Sequence, residues 1–372
     1  MTAIRPTPRL SDLPEDWLNQ PAFEAGGRPV LFREIVQAAA VRGGLDAFLE
    51  QTIIACRAQT GALAAGLEAE EASVEASVEA LMEEYRYERD LVSAEETERW
   101  LGQRGLTPED FVDYFMRRYW AEIHHPGSSQ ELASLPNPAE FGRVWLADMV
   151  LSGTWVRWAR RWATEMVCGM EAPHLSEVDP EQGLQGFKRE RFGSETGWER
   201  WLTDWELNPG QVAEILCRQR LTGKREREAL SPSARESVVD EQRMSLVRVD
   251  LEVVGFDSEE AAKEGYSCAV ADGLSLETVA RESGYPLEHR AYFLRDLPDS
   301  LKMSVLSAYP GAILPPYAGG GTIDVYRVVR HTEPNLADPE VAGEIDAILI
   351  QRHFGDLEAR KVRWLMMGDE RI

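Results

Sequence analysis

The chain repeats itself. Residues 93–118 read SAEETERWLGQRGLTPEDFVDYFMRR, and residues 194–219 read SETGWERWLTDWELNPGQVAEILCRQ, 101 positions further on. Laid over one another without gaps, Ser93, Glu98, Arg99, Trp100, Leu101, Leu106, Pro108 and Arg117 coincide with Ser194, Glu199, Arg200, Trp201, Leu202, Leu207, Pro209 and Arg218. Phe111, Tyr114 and Phe115 meet the apolar Val212, Ile215 and Leu216. An ERWL run followed at fixed spacing by Leu, a capping residue and Pro marks a duplicated helical unit. The repeat carries its own punctuation: Thr107 can accept from a backbone N–H of the next turn, Pro108 stands where no N–H is needed, and Asp110 reaches back to the cap. Asn208, Pro209 and Gln211 rebuild the device. Each unit is predicted as a helix ending near ERWL, a short turn and a second capped helix.

Other segments extend the helical reading. After a loose N-terminal arm, residues 29–65 space their apolar residues helically and break at Gly43-Gly44, which predicts two helices. Residues 67–90 are rich in Glu and Ala, with Val74, Val78 and Leu81 on one face of a packed amphipathic helix. Between the repeats lie a Pro/Ser/Gly/Asn segment, 126–138, and one helical span, 144–167. From Met244 the texture changes. SLVRVDLEVVGF reads as a strand, then helices are predicted in SEEAAKEGYSCAVADG, SLETVARESG and LKMSVLSAYPG, and GTIDVYRVVRH closes as a strand. The order is β-α-α-(β)-α-β, a smaller α+β domain, followed by one long helix or two. The expected domains are 1–135 with the first repeat, 136–240 with the second, 241–335 as the α+β domain, and 336–372 as a C-terminal helix.

Charge limits the partners. With 64 Asp and Glu against 40 Lys and Arg, the formal charge is -24, so phosphate backbones and anionic lipid surfaces are repelled. Nucleic acid and membrane are excluded as expected partners. The first twenty residues lack the apolar core of about 7 to 15 residues that export requires, and no later run is long enough to span a bilayer; a cytoplasmic location is expected. Cys56, Cys168, Cys217 and Cys268 are far apart without a CxxC pair and read as reduced, buried thiols.

The order of elements resembles that of the SurA-type chaperones and PpiC-type, or parvulin, peptidyl-prolyl isomerases. GGRPVLFREI is similar to the family's opening strand and first helix, SAEETERWLGQRGLTPEDF to its middle helices, LEVVGFDSEEAAKE to the first parvulin strand and helix, FLRDLPDSLKMSVLSAYPGAILPP to the central part, and GTIDVYRVV to the final strand. The resemblance implies a helical peptide-binding module, a parvulin-like domain, and a C-terminal helix returning to the helical module. It also implies two histidines in the isomerase site. The first would fall near Leu251 and the second at Ile323 or Asp324, and the family's GGDLG turn is Leu287, Glu288, His289, Arg290 and Ala291 here. An apolar cup around Phe293 and Leu301 is kept. Eroded, cytoplasmic proteins of this arrangement also resemble the peptide maturation proteins of ribosomal peptide natural-product systems.

The expected function is therefore non-catalytic binding of a peptide or unfolded polypeptide, with peptide-modifying enzymes as further partners. The alternatives are an isomerase with an atypical site and a structural adaptor. The expected peptide contacts are Phe293, Leu301, Tyr317 and Tyr326, together with Trp155, Trp158 and Trp162. Those tryptophans share a helical face that reads either as an aromatic groove or as a packed seam. No catalytic residue, metal site or cofactor is expected. His124, His125, His174, His289, His331 and His353 form no metal-ligand spacing, a Cys268–His289 pair has no support in the spacing, and Gly319-Gly320-Gly321 lacks the context of a phosphate loop.

Overall fold

The computed structural model describes residues 9–67, 71–123, 138–171, 180–319 and 321–366 of the chain. His124, His125, His174, most of the 126–138 segment and the boundary expected at 135/136 lie outside them. The chain divides into two compact units, one of residues 1–225 and 354–372 and the other of residues 226–353.

The first unit begins with a correction. The supposed loose arm is structured from residue 10: a short 3-10 turn, α1 (Glu15–Leu18) and β1 (Pro21–Ala25) carry Leu10, Leu13, Trp17, Leu18, Ala22 and Phe23 into the core. The apolar residues are spaced irregularly because three different short elements deliver them, so no single period revealed them. β1 pairs antiparallel with β2 (Arg28–Leu31), across a turn at Gly26 and Gly27, and with β7 (Val362–Trp364) from the far end of the chain, Phe23 facing Trp364. The sheet order is β2-β1-β7. Next come α2 (Phe32–Arg42) and α3 (Gly44–Ala64), separated at Gly43, whose φ of +81° ends the first helix as a left-handed cap. In α4 (Glu71–Glu88) Val74 and Val78 are buried and Leu81 half-buried, on the face the sequence indicated.

The repeats follow as α5 (Ala94–Gly102) with α6 (Pro108–Ile123), and, after α7 (Pro138–Leu151), α8 (Thr154–Glu171) and α9 (Pro180–Arg191), as α10 (Glu195–Asp204) with α11 (Pro209–Ala229). The predicted single helix over 144–167 is two helices, α7 and α8. Gly153, at φ +67°, adopts the left-handed conformation that interrupts an α-helix. One continuous apolar core runs through both repeats, from Leu10 to Ile215, with Val362 and Trp364 packed against it.

The second unit holds α12 (Pro232–Glu241), β3 (Arg248–Phe256), α13 (Glu259–Val270), α14 (Leu276–Ser283), β4 (Leu287–Phe293), α15 (Asp299–Ser307), β5 (Tyr317–Gly319), β6 (Thr322–Thr332) and most of α16 (Pro339–Lys361). The sheet is antiparallel, in the order β4-β3-β6-β5. α13 and α14 pack on one face around Val254, Phe256 and Val325; α15 packs on the other over Val249, Leu251, Val253 and Val328. The LEHRA segment, aligned by the resemblance with the family's turn, is instead part of strand β4, the bracketed strand whose position the sequence left open. Only the last residue of β4, Phe293, is buried, so the strand offered no apolar run to read. α12 and α16 join this unit through Val238, Leu246, Phe293, Val341 and Ile345, and are tied to each other by paired bonds of 2.7 Å from Arg235 to Asp346 and from Arg352 to Glu241.

Candidate functional site

Strand alternation decides which residues meet in the second unit. On β3 and β6, Val249, Leu251, Val253, Tyr326 and Val328 face α15, and the same pleat brings Arg290 and Tyr292 of β4 to that side, opposite Leu251 and Val249. Leu301, Tyr317 and Tyr326 join this cluster. Phe293 does not. It is one residue beyond Tyr292 on the strand, turns to the opposite side, and packs with Val341 and Ile345. The expected cup around Phe293 and Leu301 is thus two separate clusters, and the correction follows from a strand's two-residue period.

The face below α15 is apolar in its centre and polar along one margin. Tyr326 donates to Asp324 Oδ2 at 2.9 Å, and Thr322 donates to Asp324 Oδ1 at 2.8 Å. Asp324 and Tyr326 are both buried. Burial first, then the hydrogen bond to Asp324 and its charge, push the Tyr326 phenol far above its ordinary value. It stays protonated and serves as a donor, not a base. Ser300 donates to the Tyr317 hydroxyl at 3.1 Å, and His331 stands 3.1 Å from the Val305 carbonyl. Arg290, half-buried, donates to Glu288 at 2.7 Å, and that bond, with Tyr292 beside it, holds the guanidinium above its ordinary value. Leu301 and Val305 of α15 face the sheet, while Met303 and Leu306 on the same helix are exposed, as is Tyr309 just beyond it. The arrangement offers hydroxyls, one permanent cation and apolar surface. These can hold a chain, and none of them is an activated nucleophile.

The family resemblance implies histidines near Leu251 and at Ile323 or Asp324, and Ile323 packs on the α13 and α14 side. Leu251 is a core residue under α15, and Asp324 is bound up with Tyr326 and Thr322. His289 lies on the face away from α15, is largely exposed and has Nδ1 4.0 Å from Glu252, while Cys268 packs against the Phe256 cluster of α13 and α14, and no hydrogen bond between the two is present among the described residues. Among the described residues no group of three or more His, Cys, Asp or Glu side chains is placed to hold a metal ion, and no helix is long and apolar enough to cross a membrane. Cys56, Cys168 and Cys217 are buried free thiols, and Cys268 is half-buried.

The tryptophans give a second correction. Trp155 is 2% exposed and packs 5.1 Å from Phe32; Trp162 is 5% exposed, with Arg42 5.6 Å and Arg218 5.9 Å from its ring centre. Neither is open to a peptide. Trp158 is half-buried against Phe48, ring centres 5.5 Å apart. They form the seam between α8 and its neighbours, the cheapest place to hide large rings. Sequence reasoning missed Arg290, Tyr292 and Ser300; the alternation of Arg290 and Tyr292 was the one signal that placed them on a common face.

No family model matches the chain, and none of the curated proteins does. Among solved structures it is similar to the foldase protein PrsA from Streptococcus pneumoniae, at 13% identity over 52% of this chain and 75% of that one, with a TM-score of 0.24. It is also similar to the peptidylprolyl isomerase PrsA from Bacillus anthracis, at 9% identity over 53% and 94%, with a TM-score of 0.28. A SurA-like chaperone structure from Campylobacter jejuni matches at 11% identity over 58% and 88%, with a TM-score of 0.18. TM-scores this low do not establish a shared overall fold.

Proposed function

We propose that this chain is a chaperone-like protein that binds extended polypeptide without changing its covalent bonds, and that the half-buried margin of the cluster under α15, at Arg290, Tyr292 and Tyr317, makes the contact. The observation that carries the reading is the half-buried trio of Tyr317, Arg290 and Tyr292 at the rim of the cluster under α15, on a sheet whose edge strands are β4 and β5. Aromatic and arginine side chains dominate binding energy at protein surfaces, and an edge strand offers backbone groups to an extended chain. The finer reading is that the bound chain is a ribosomally made peptide awaiting modification, with modifying enzymes as partners.

The test is anisotropy of a labelled, permanently unfolded polypeptide. Saturable binding is expected, weakened about tenfold by Arg290→Ala combined with Tyr317→Ala, an amount typical of one or two anchors. Absence of saturation, or an unchanged curve for the variant, would sink the reading. The buried Asp324–Tyr326 bond favours one alternative, an atypical proline isomerase, because a polar pair in an apolar wall can stabilise a twisted X-Pro bond whose barrier is about 18–20 kcal/mol. That alternative requires X-Pro exchange to accelerate with the protein and to slow again with Tyr326→Phe.

A further inference from the structure

The first unit contains a cavity of about 240 Å³ among α3, α6, α7 and the start of α8. Three arginines, Arg117, Arg118 and Arg157, and a single aspartate, Asp148, line it, in a chain whose formal charge is -24. A local excess of positive charge in so acidic a protein needs a cause. Packing supplies it only for Arg117, which is buried and donates from Nη2 to Asp148 Oδ1 at 2.6 Å. The Nε of Arg117 is buried and has no hydrogen-bond partner among the described residues. Arg157 bonds neutral oxygens, the Ser152 carbonyl at 3.2 Å and the Thr154 hydroxyl at 2.6 Å, and no ion pair to it is present among the described residues. Arg118 is exposed, meets Glu122 at 3.5 Å and also bonds the Tyr114 side chain.

We propose that this cavity is a site for a carboxylate carried on an amino-acid-sized group, held by Arg118 and Arg157 over the Arg117–Asp148 pair. Three features select that chemistry. Guanidinium groups match a planar carboxylate in bidentate fashion. The walls beside them, Phe48, Tyr114 and Ala121, are apolar or aromatic and suit a short carbon stem. Asp148 inside the cavity disfavours a phosphate, whose charge approaches two. The volume falls below the roughly 300–1,000 Å³ of drug-sized sites, which fits one side chain or one chain terminus. That the carboxylate belongs to a polypeptide rests on the proposed function; the site itself does not.

Calorimetric titration of the full-length chain at low salt tests it, with N-acetylalanine as a terminus mimic, N-acetylglutamic acid α-amide as a side-chain mimic, and N-acetylalaninamide and inorganic phosphate as controls. At least one carboxylate is expected to bind saturably, the neutral amide not at all, and phosphate more weakly. Whichever mimic binds tighter identifies the source as terminus or side chain. Arg118→Gln with Arg157→Gln, both at exposed positions, is expected to weaken binding tenfold or more with an unchanged circular dichroism melt. Binding of the neutral amide equal to that of the acids, tighter binding of phosphate, an unaffected double variant, or no saturable heat from either acid would overturn the assignment. Because these probes are not polypeptides, their failure is distinct from failure of the anisotropy test.

Discussion

The two copies of the repeat share a backbone and differ in what they bury. Ser93 and Ser194 each accept from the backbone three residues on at 3.1 Å. Leu106 and Leu207 donate back to Leu101 and Leu202 at 3.0 and 2.9 Å. Thr107 with Asp110, and Asn208 with Gln211, close the same reciprocal box on the second helix. Each copy covers its repeated tryptophan with rings from the preceding helix and its end: Tyr85 lies 6.1 Å from Trp100, and Phe187 and Phe192 lie 5.7 and 5.4 Å from Trp201. At the matching arginines the copies part. Arg117 is sealed in with Asp148, whereas Arg218 lies near the surface, bonded to the Met166 carbonyl at 3.3 Å and to Glu214 at 2.8 Å. Local devices survive duplication because they depend only on their own neighbours in sequence. The role of a side chain that reaches beyond its helix does not survive, because the neighbours differ.

The largest expected effect separates the arginines. Arg117→Ala leaves Asp148 buried without a partner and should cost about 3–5 kcal/mol, while Arg218→Ala should cost about 1 kcal/mol, the worth of one ordinary hydrogen bond. Denaturant unfolding followed by tryptophan fluorescence reads this directly, since all eleven tryptophans lie outside 226–353. Equal losses at the two positions would break the comparison. The caps should behave alike: Ser93→Ala and Ser194→Ala are each expected to cost about 1 kcal/mol in the same assay. A smaller contrast lies in the turns. Gly105 at φ +72° and its counterpart Glu206 at φ +50° hold the same left-handed conformation, which strains any residue with a side chain. Gly105→Ala should therefore destabilise by about 1 kcal/mol and Glu206→Gly should raise the midpoint slightly, offset by loss of the Glu206 ion pair with Arg33.

The smallest contrast is one of pH. Burial pushes the Asp110 carboxyl up, but its hydrogen bonds to Arg143 and Thr107 prevail and hold it below its ordinary value. A group depressed by folding stabilises fully above its unfolded value, near pH 4, and that contribution is lost as pH falls through the folded value. The second copy has Gln211 at this position and no such dependence. Asp110→Asn should flatten the acid limb of the stability profile by a few tenths of a kcal/mol, and an unchanged limb would show that the cap is not titrating.

Short-range features were legible in the sequence. The duplicated caps, the break at Gly43, the buried face of α4 and the strands β3 and β6 follow from periodicity and from residues that act within a turn of themselves. The candidate site was legible only in part. Leu301, Tyr317 and Tyr326 do converge, while Phe293 falls on the opposite side of its sheet because the register of β4 against β3 fixes its direction, and that register is a long-range pairing.

What the sequence determined alone is where the capped repeat helices begin and which stripe of them is apolar, since those depend on dihedral preference and local hydrogen bonding. What covers each stripe was decided by tertiary structure. The aromatic face of α8 could have been a groove or a seam until Phe32, Arg42 and Arg218 closed over it. Likewise Arg117 became half of a buried pair, and part of a cavity wall, only when α7 brought Asp148 to it from 31 residues away. Burial is a property of the neighbours a residue meets in space, and a single chain read in order does not name them.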